Sequence, residues 1–281
     1  MTSTTLPLPR ASFPVRRMDF DFAQTPKYWM HGEPFSTHFM NTLSSLFPHG
    51  EKFFVDSVRA VRGRISDPQL QKEISAFIGQ EAMHSKEHAT YNDYAVEHGI
   101  DLQTLENRLA LIIRLFKRVM TTKQQLAVTC AHEHFTATMG AQLLAREDVT
   151  ATIDDPKMYR MWMWHAVEEN EHKAVAYDAY QQIGGGYFTR IAMMLVSTLF
   201  FTCIVTAFQL RLLRKDGQLF NWRSWKHGLG VLFGWRHGLL TPLLGRYLDY
   251  YRPGFHPNDH DSQALERHWK QRLGIDGEQH A

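Results

Sequence analysis

Apolar residues recur at helical spacing along most of the chain, and acidic residues placed just before prolines mark where helices begin. From Pro34 to Arg64 the pattern is helical but is interrupted by Pro48-His49-Gly50. A proline there ends one helix and opens the next, which sets Glu51 in a first turn where free amides favour a carboxylate. Asp67-Pro68 opens a helix that should run to about His98 and stop at Gly99. Aspartate accepts a bond from an orphan amide, and proline fits the first helical position. Asp101 to Met120 reads as a packing helix with Leu105, Leu109, Ile112, Ile113 and Phe116 on its apolar face. Thr121 or Thr122 then caps a helix that carries Glu133 and continues to about Arg146. Asp155-Pro156 repeats the earlier start, and a single helix is expected from there to Gly184.

After Gly186 the pattern changes. Ile191 to Leu210 is a run of 20 residues with no charge, flanked by Arg190 and by Arg211, Arg214 and Lys215. Such a run is long enough to cross a bilayer, and basic flanks reach headgroups. Its Ser, Thr and Gln residues suit equally a helix buried in the protein or in a homodimer interface. Trp222, Arg223, Trp225, Lys226, His227, Trp235, Arg236 and His237 interleave aromatic and basic side chains. That mixture suits a membrane surface, and also a plain solvent-facing helix. Arg252 to Pro257 is a loop by its prolines and glycine, and Ser262 to Leu273 forms a last capped helix.

Set against this apolar periodicity are ionisable residues on faces that should be buried. Ile74, Phe77, Ile78, Glu81, His84 and His88 share one stripe. His165, Glu169 and His172 likewise project along one face of the later helix. Glu81 stands 13 residues after Pro68, as Glu169 does after Pro156, so the two helices look like copies. Each copy is preceded by a segment with an isolated glutamate in apolar surroundings, Glu51 and Glu133. Buried charges of this kind need a partner, and a pair of divalent cations would supply one. His88, one turn beyond His84, reads as a further ligand, a group behind a ligand or a surface histidine. Glu168 adjoins Glu169 as another group behind the ligands. His132 and His134 flank Glu133 but point about 100° to either side of it. His256 and His260 offer a separate place for a metal, against the plainer reading of loop and capping residues.

The expected architecture is therefore all-α: a four-helix bundle with a di-metal centre over residues 31–186, and additional C-terminal helices over 187–281. Residues 1–30 are expected to be a flexible leader, since the first 17 lack the apolar core of a signal peptide. With 281 residues, 44% hydrophobic and 21% charged, the chain can bury a full core. A net charge of +2 gives no reason to propose nucleic acid as a partner. Cys130 and Cys203 are the only cysteines, which suits a reducing, cytoplasmic location, with the inner face of the membrane as a surface it contacts.

The order Glu51, Glu81 and His84, Glu133, Glu169 and His172 is that of ferritin-like di-iron four-helix bundles. The chain also resembles the bacterial family provisionally called predicted metal-dependent hydrolases, from about Trp29 to Asp261. That resemblance rests on Phe47-Pro48-His49-Gly50-Glu51, Gln80-Glu81-Ala82-Met83-His84, Glu169-Asn170-Glu171-His172 and Arg252-Pro253-Gly254-Phe255-His256-Pro257. With His165 added, the helix is similar to that of arylamine N-oxygenases, in which an extra histidine binds one iron. Oxygen-rich ligation with two or three imidazoles suits iron, with manganese or zinc as alternatives. The expectation drawn here is a di-iron oxygenase that hydroxylates, desaturates or N-oxygenates a hydrophobic small molecule, supplied by an external electron donor. The competing expectation is a metal-dependent hydrolase using a metal-activated water, with Glu168, Glu171 and His88 as candidate bases. A third is a non-catalytic metal-binding helical protein.

Overall fold

The computed structural model of the chain describes residues 13–235 and 238–276. In chain order the helices are α1 (Pro34–Arg62), α2 (Pro68–Glu97), α3 (Leu102–Val119), α4 (Thr122–Leu144), the short α5 (Glu147–Thr150) and α6 (Pro156–His172). They continue with α7 (Val175–Gln182), α8 (Tyr187–Lys215), α9 (Trp222–Phe233), α10 (Leu243–Asp249) and α11 (Gln263–Leu273). Among the described residues there is no strand, only an isolated bridge between Met30 and Ile153. The protein is all-α.

The repeated Asp-Pro starts work as their chemistry dictates. Asp67 accepts the amides of Gln69 and Leu70, and Asp155 accepts those of Lys157 and Met158. Thr121 and Gln124 form a reciprocal capping box at the head of α4. Gly99 and Gly184 close their helices at φ +85° and +72°, a region that glycine enters without a side-chain clash.

Helices α1, α2, α4 and α6 pack around a shared interior, with α7 packed on α1, α2 and α4. Two apolar clusters fill that interior. One contains Leu43, Tyr91, Leu143 and Val167, and the other contains Phe53, Phe77, Ala131 and Val175. Each of the four chains of positions passes from one cluster to the other, and the ionisable residues lie at the crossing. Glu51 falls between Leu43 and Phe53, Glu81 and His84 between Phe77 and Tyr91, Glu133 just beyond Ala131, and Glu169 and His172 between Val167 and Val175. The polar layer is thus sealed by apolar packing above and below. At Gly140 the backbone of α4 meets α6 closely enough that a Cβ there would sit 3.1 Å from the carbonyl of Ala166.

Three expectations need correction. Pro48 does not break a helix: α1 runs through it without interruption. The missing proline amide leaves the carbonyl of Ser44 without its helical donor, and Asn92 of α2 supplies one at 3.1 Å. Glu51 therefore sits in a helix interior rather than in a first turn, which removes a capping role. The single helix expected from Asp155 to Gly184 is two, separated by a turn at Lys173-Ala174 immediately after His172. Lys173 at that turn donates to the carbonyl of His260 and to Ser262, tying it to the C-terminal part of the chain. Residues 13–30 are not a flexible leader, because Phe13, Arg16, Phe22 and Trp29 are buried against the helices. Val15 lies where a Cβ on Gly79 would stand, so a glycine in mid-helix admits this segment. Residues 1–12 lie outside the described residues.

Helix α8 is long and apolar enough to cross a membrane by length and composition. One face of it packs on α1 and α4, and Phe188, Leu195 and Leu199 on the rest are exposed. Arg190 at its start is buried among Tyr177, Tyr187, Tyr250 and Phe255 and donates to the carbonyls of Tyr250 and Arg252, which clamps the proline-rich loop. Helix α9 lies over α1, where Ser224 accepts the amide of Phe35 and Trp225 meets the Phe35 ring edge-on. Trp222 and Trp235 point to solvent, whereas Arg236 and His237 lie outside the described residues.

Replacing Asn92 by alanine should strand the Ser44 carbonyl and hydroxyl in the interior and lower stability by about 1–3 kcal/mol. Urea denaturation followed by circular dichroism measures it; an unchanged midpoint would mean that α1 tolerates Pro48 without this bond.

Candidate metal centre

Glu51 from α1, Glu81 and His84 from α2, Glu133 from α4, and His165, Glu169 and His172 from α6 all converge on the polar layer, and all are buried. They form two groups. Glu51, His84, His165 and Glu169 each present one donor atom within 4.8 Å of the others, and so do Glu81, Glu133, Glu169 and His172. Glu169 belongs to both. Its Oε1 lies 2.9 Å from His165 Nε2 and 3.5 Å from His84 Nδ1, while its Oε2 lies 3.6 Å from His172 Nε2. Glu81, its counterpart on α2, belongs to the second alone.

Every imidazole is held from behind. Asn92 donates its amide hydrogens to Ser44 O and Glu106, so its oxygen must accept the Ser44 hydroxyl. Ser44 Oγ can then only accept from His88 Nδ1, which leaves His88 Nε2 to accept from His165 Nδ1 at 2.7 Å. The lone pair of His165 Nε2 is thus aimed at Glu169 and Glu51. Gln80 donates to Pro14 O and Glu171, so its oxygen accepts His172 Nδ1–H, and His172 Nε2 faces Glu81 at 3.0 Å. Glu168 accepts from His84 Nε2 at 3.0 Å, which turns His84 Nδ1 inward. Outer partners of this kind fix tautomer and ring direction at metal sites.

The inward atoms, by contrast, lack partners. Both oxygens of Glu81 and of Glu133, Glu51 Oε1, Glu169 Oε2, His84 Nδ1 and His172 Nε2 are buried without a hydrogen bond. The electrostatics show the same imbalance. Burial pushes the carboxyls of Glu51, Glu81 and Glu133 up, and neighbouring carboxylates add to the rise. Burial would raise Glu169 too, but His172, His165 and His84 around it bring it well below the usual range. Burial would lower His84, yet its bond to Glu168 and the nearby Glu169 carboxylate carry it up to about 10. His172 is also raised against its burial, by Glu169 and Glu133. Burial and the adjacent His84 lower His165 to about 4, so that it stays neutral near pH 7. With the protons of these carboxyls and imidazoliums removed, the layer carries four carboxylate charges, which two divalent cations would neutralise. These residues fit such a pair of ions.

The other polar groups singled out in the sequence are placed outside the layer. His88 and Glu168 stand behind the imidazoles, as above. Glu171 is held by Arg16, Gln80 and Lys270. None of the three has a free face toward the centre, so the candidate bases for hydrolysis are all engaged elsewhere. His132 bonds its own helix at Val128 O, and His134 bonds Arg246 O. His256 and His260 pair with Asp178 and Asp249 and join neither group.

Sequence reasoning missed Arg16, Gln80 and Ser85. Ser85 donates to Glu51 Oε2 at 2.9 Å. Arg16 bridges Glu168 and both oxygens of Glu171 at 2.8–2.9 Å, from a segment with no periodicity to mark it. The one signal was Gly79, since glycine inside a strong helix implies a close neighbour.

Changing Arg16 to methionine should leave Glu168 and Glu171 short of a buried cation and cost about 3–5 kcal/mol. A chemical denaturation series reports the loss; a difference below about 1 kcal/mol, the range of exposed pairs, would show that the pair contributes little.

Residues 14–261 match a family model described as predicted metal-dependent hydrolase. No curated protein and no solved structure gives a match.

Proposed function

The chain belongs to that family, and from this premise we propose that it is a metal-dependent hydrolase built on a two-ion centre. Glu51, His84, His165 and Glu169 would hold one ion, and Glu81, Glu133, Glu169 and His172 the other, with Glu169 between them. The observation that carries this reading is the direction of the protons. The neutral His165 has its hydrogen on Nδ1, turned outward, so Nε2 and Glu169 Oε1 meet at 2.9 Å as two lone pairs. A cation is what both can share. Two such ions polarise a substrate oxygen and lower the pKa of a bound water.

The protein's own residues supply the frame. Asn92, Ser44 and His88 hold His165, Gln80 holds His172, and Arg16 through Glu168 holds His84. Glu168, His88 and Glu171 transfer no proton to substrate, because each already faces another partner. Loading of the ions displaces the protons that burial otherwise keeps on Glu51, Glu81 and Glu133.

A second reading is oxidation of an apolar small molecule at two irons, with dioxygen and an external electron donor. What favours it is the surroundings. The cavity beside Glu51 is apolar apart from Glu51, His132, Thr136 and Ser197. An ester, amide or phosphate finds few groups there for its polar atoms. The open apolar face of α8 also supports contact with a membrane surface.

Elemental analysis of the purified chain should find two divalent ions, both lost in Glu169→Ala, whereas Glu168→Gln should keep them with about 10–100-fold weaker affinity. Metal-free native protein, or a Glu169→Ala protein with both ions, would sink the proposal. Turnover of a 4-nitrophenyl ester under nitrogen with zinc or manganese bound supports hydrolysis. Oxygen uptake by the reduced iron-loaded protein, with no anaerobic turnover, transfers the assignment to the second reading.

A further inference from the structure

The two groups of donor atoms face different surroundings. His172 is backed by the rings of Phe77 and Phe13 at 5.0 and 6.2 Å. Glu81, Glu133 and His172 line neither of two neighbouring cavities, whereas Glu51, His165 and Glu169 do. Glu51 borders a cavity of about 120 Å³ between α1, α3, α4 and α8, and His165 and Glu169 border one of about 60 Å³ between α1, α4 and α6. Leu43, Phe47, Thr136 and Met139 line both. The Phe47 ring at this junction is 4.5 Å from the rings of His88 and of His165.

Two further details concern the larger cavity. Gly50, one residue before Glu51, has nothing within 4 Å of where a Cβ would stand, so the space reaches the backbone of α1. Ser197 on α8 is buried, lines the cavity, and has no hydrogen-bond partner for its hydroxyl. An apolar cavity of roughly this size, about 150 Å³ in an engineered case, stays dry and takes up apolar molecules. The walls here are of that kind. Two adjacent cavities that share Leu43, Phe47, Thr136 and Met139 as lining suit a flexible chain better than a rigid ring system, because a chain can bend past the shared side chains.

We propose that the two cavities form one channel for an apolar chain, and that it leads to the Glu51, His84, His165 and Glu169 side of the centre. The substrate is then a molecule with an alkyl or alkenyl arm, and it reacts at that ion, with the Glu81, Glu133 and His172 side kept closed. Ser197 donates its hydroxyl hydrogen to an oxygen carried by the substrate. This rests on the two-ion reading for where the reaction occurs, but not for the binding of the chain.

The test is calorimetric titration of the full metal-loaded chain with 1-decanol, repeated after removal of metal with a chelator. Gly50→Leu adds a side chain at a position that lines the cavity and where a Cβ meets no atom, and in a helix interior leucine is preferred to glycine. The expected result is saturable decanol binding in the original protein, weakened by about tenfold or more in Gly50→Leu, in line with the loss of two or three buried methylene positions. Ile112→Trp, from the α3 wall, should do the same and decides the matter if Gly50→Leu melts early. Equal affinity in all three proteins overturns the channel, and so does failure of the original protein to bind decanol. Decanol binding retained in a protein that never carries metal upholds the channel while removing the two-ion reading.

Discussion

Four carboxylates in one buried layer are the constraint on which the rest of this structure depends. Left alone, such a layer would cost far more than the few kcal/mol by which a folded domain exceeds its unfolded state. The protein meets that constraint from outside the layer. Arg16, Gln80, Glu168, His88, Ser44 and Asn92 form an outer shell in which donors and acceptors are matched, and each imidazole is thereby turned so that its second nitrogen faces inward. Apolar clusters at both ends exclude water from the layer. Once oriented in this way, the inner atoms have no partners among themselves, and the site is suited to cations and to little else.

The outer shell also accounts for features that otherwise look unconnected. The segment before α1 is anchored because Arg16 is needed beside Glu168 and Glu171. Proline within α1 is tolerated because Asn92, already bonded to Ser44 Oγ, reaches the carbonyl that Pro48 leaves free. The turn that separates α6 from α7 comes immediately after His172, the last inward-facing residue of that helix. Each departure from regular helix lies beside a group that the polar layer requires.

An asymmetry between the two halves of the layer gives the centre a direction. The half with Glu81, Glu133 and His172 is closed by phenylalanine rings, and the half with Glu51 and His165 meets apolar cavities roofed in part by α3 and α8. Helix α8 completes the wall beside Glu51 while its outer face stays apolar and exposed.

Much of this was legible in the chain itself. Asp67-Pro68 and Asp155-Pro156 mark helix starts through local hydrogen bonding that needs no distant partner, and the offset from each proline to its glutamate identifies Glu81 and Glu169 as equivalent. Helical periodicity put His84, His165 and His172 on the same faces as those glutamates, because side chains three and four residues apart align on any helix. What only the tertiary structure decided concerns pairs far apart in sequence. Glu168 differs from its neighbour Glu169 by which way a 100° step points it, toward Arg16 rather than into the layer. The continuity of α1 through Pro48 depends on Asn92 of another helix, and the docking of Arg16 on two glutamates about 150 residues later leaves no periodic trace. Local rules set where helices begin and which faces are ionisable; the packing of one helix on another set which of those groups look inward and which hold them there.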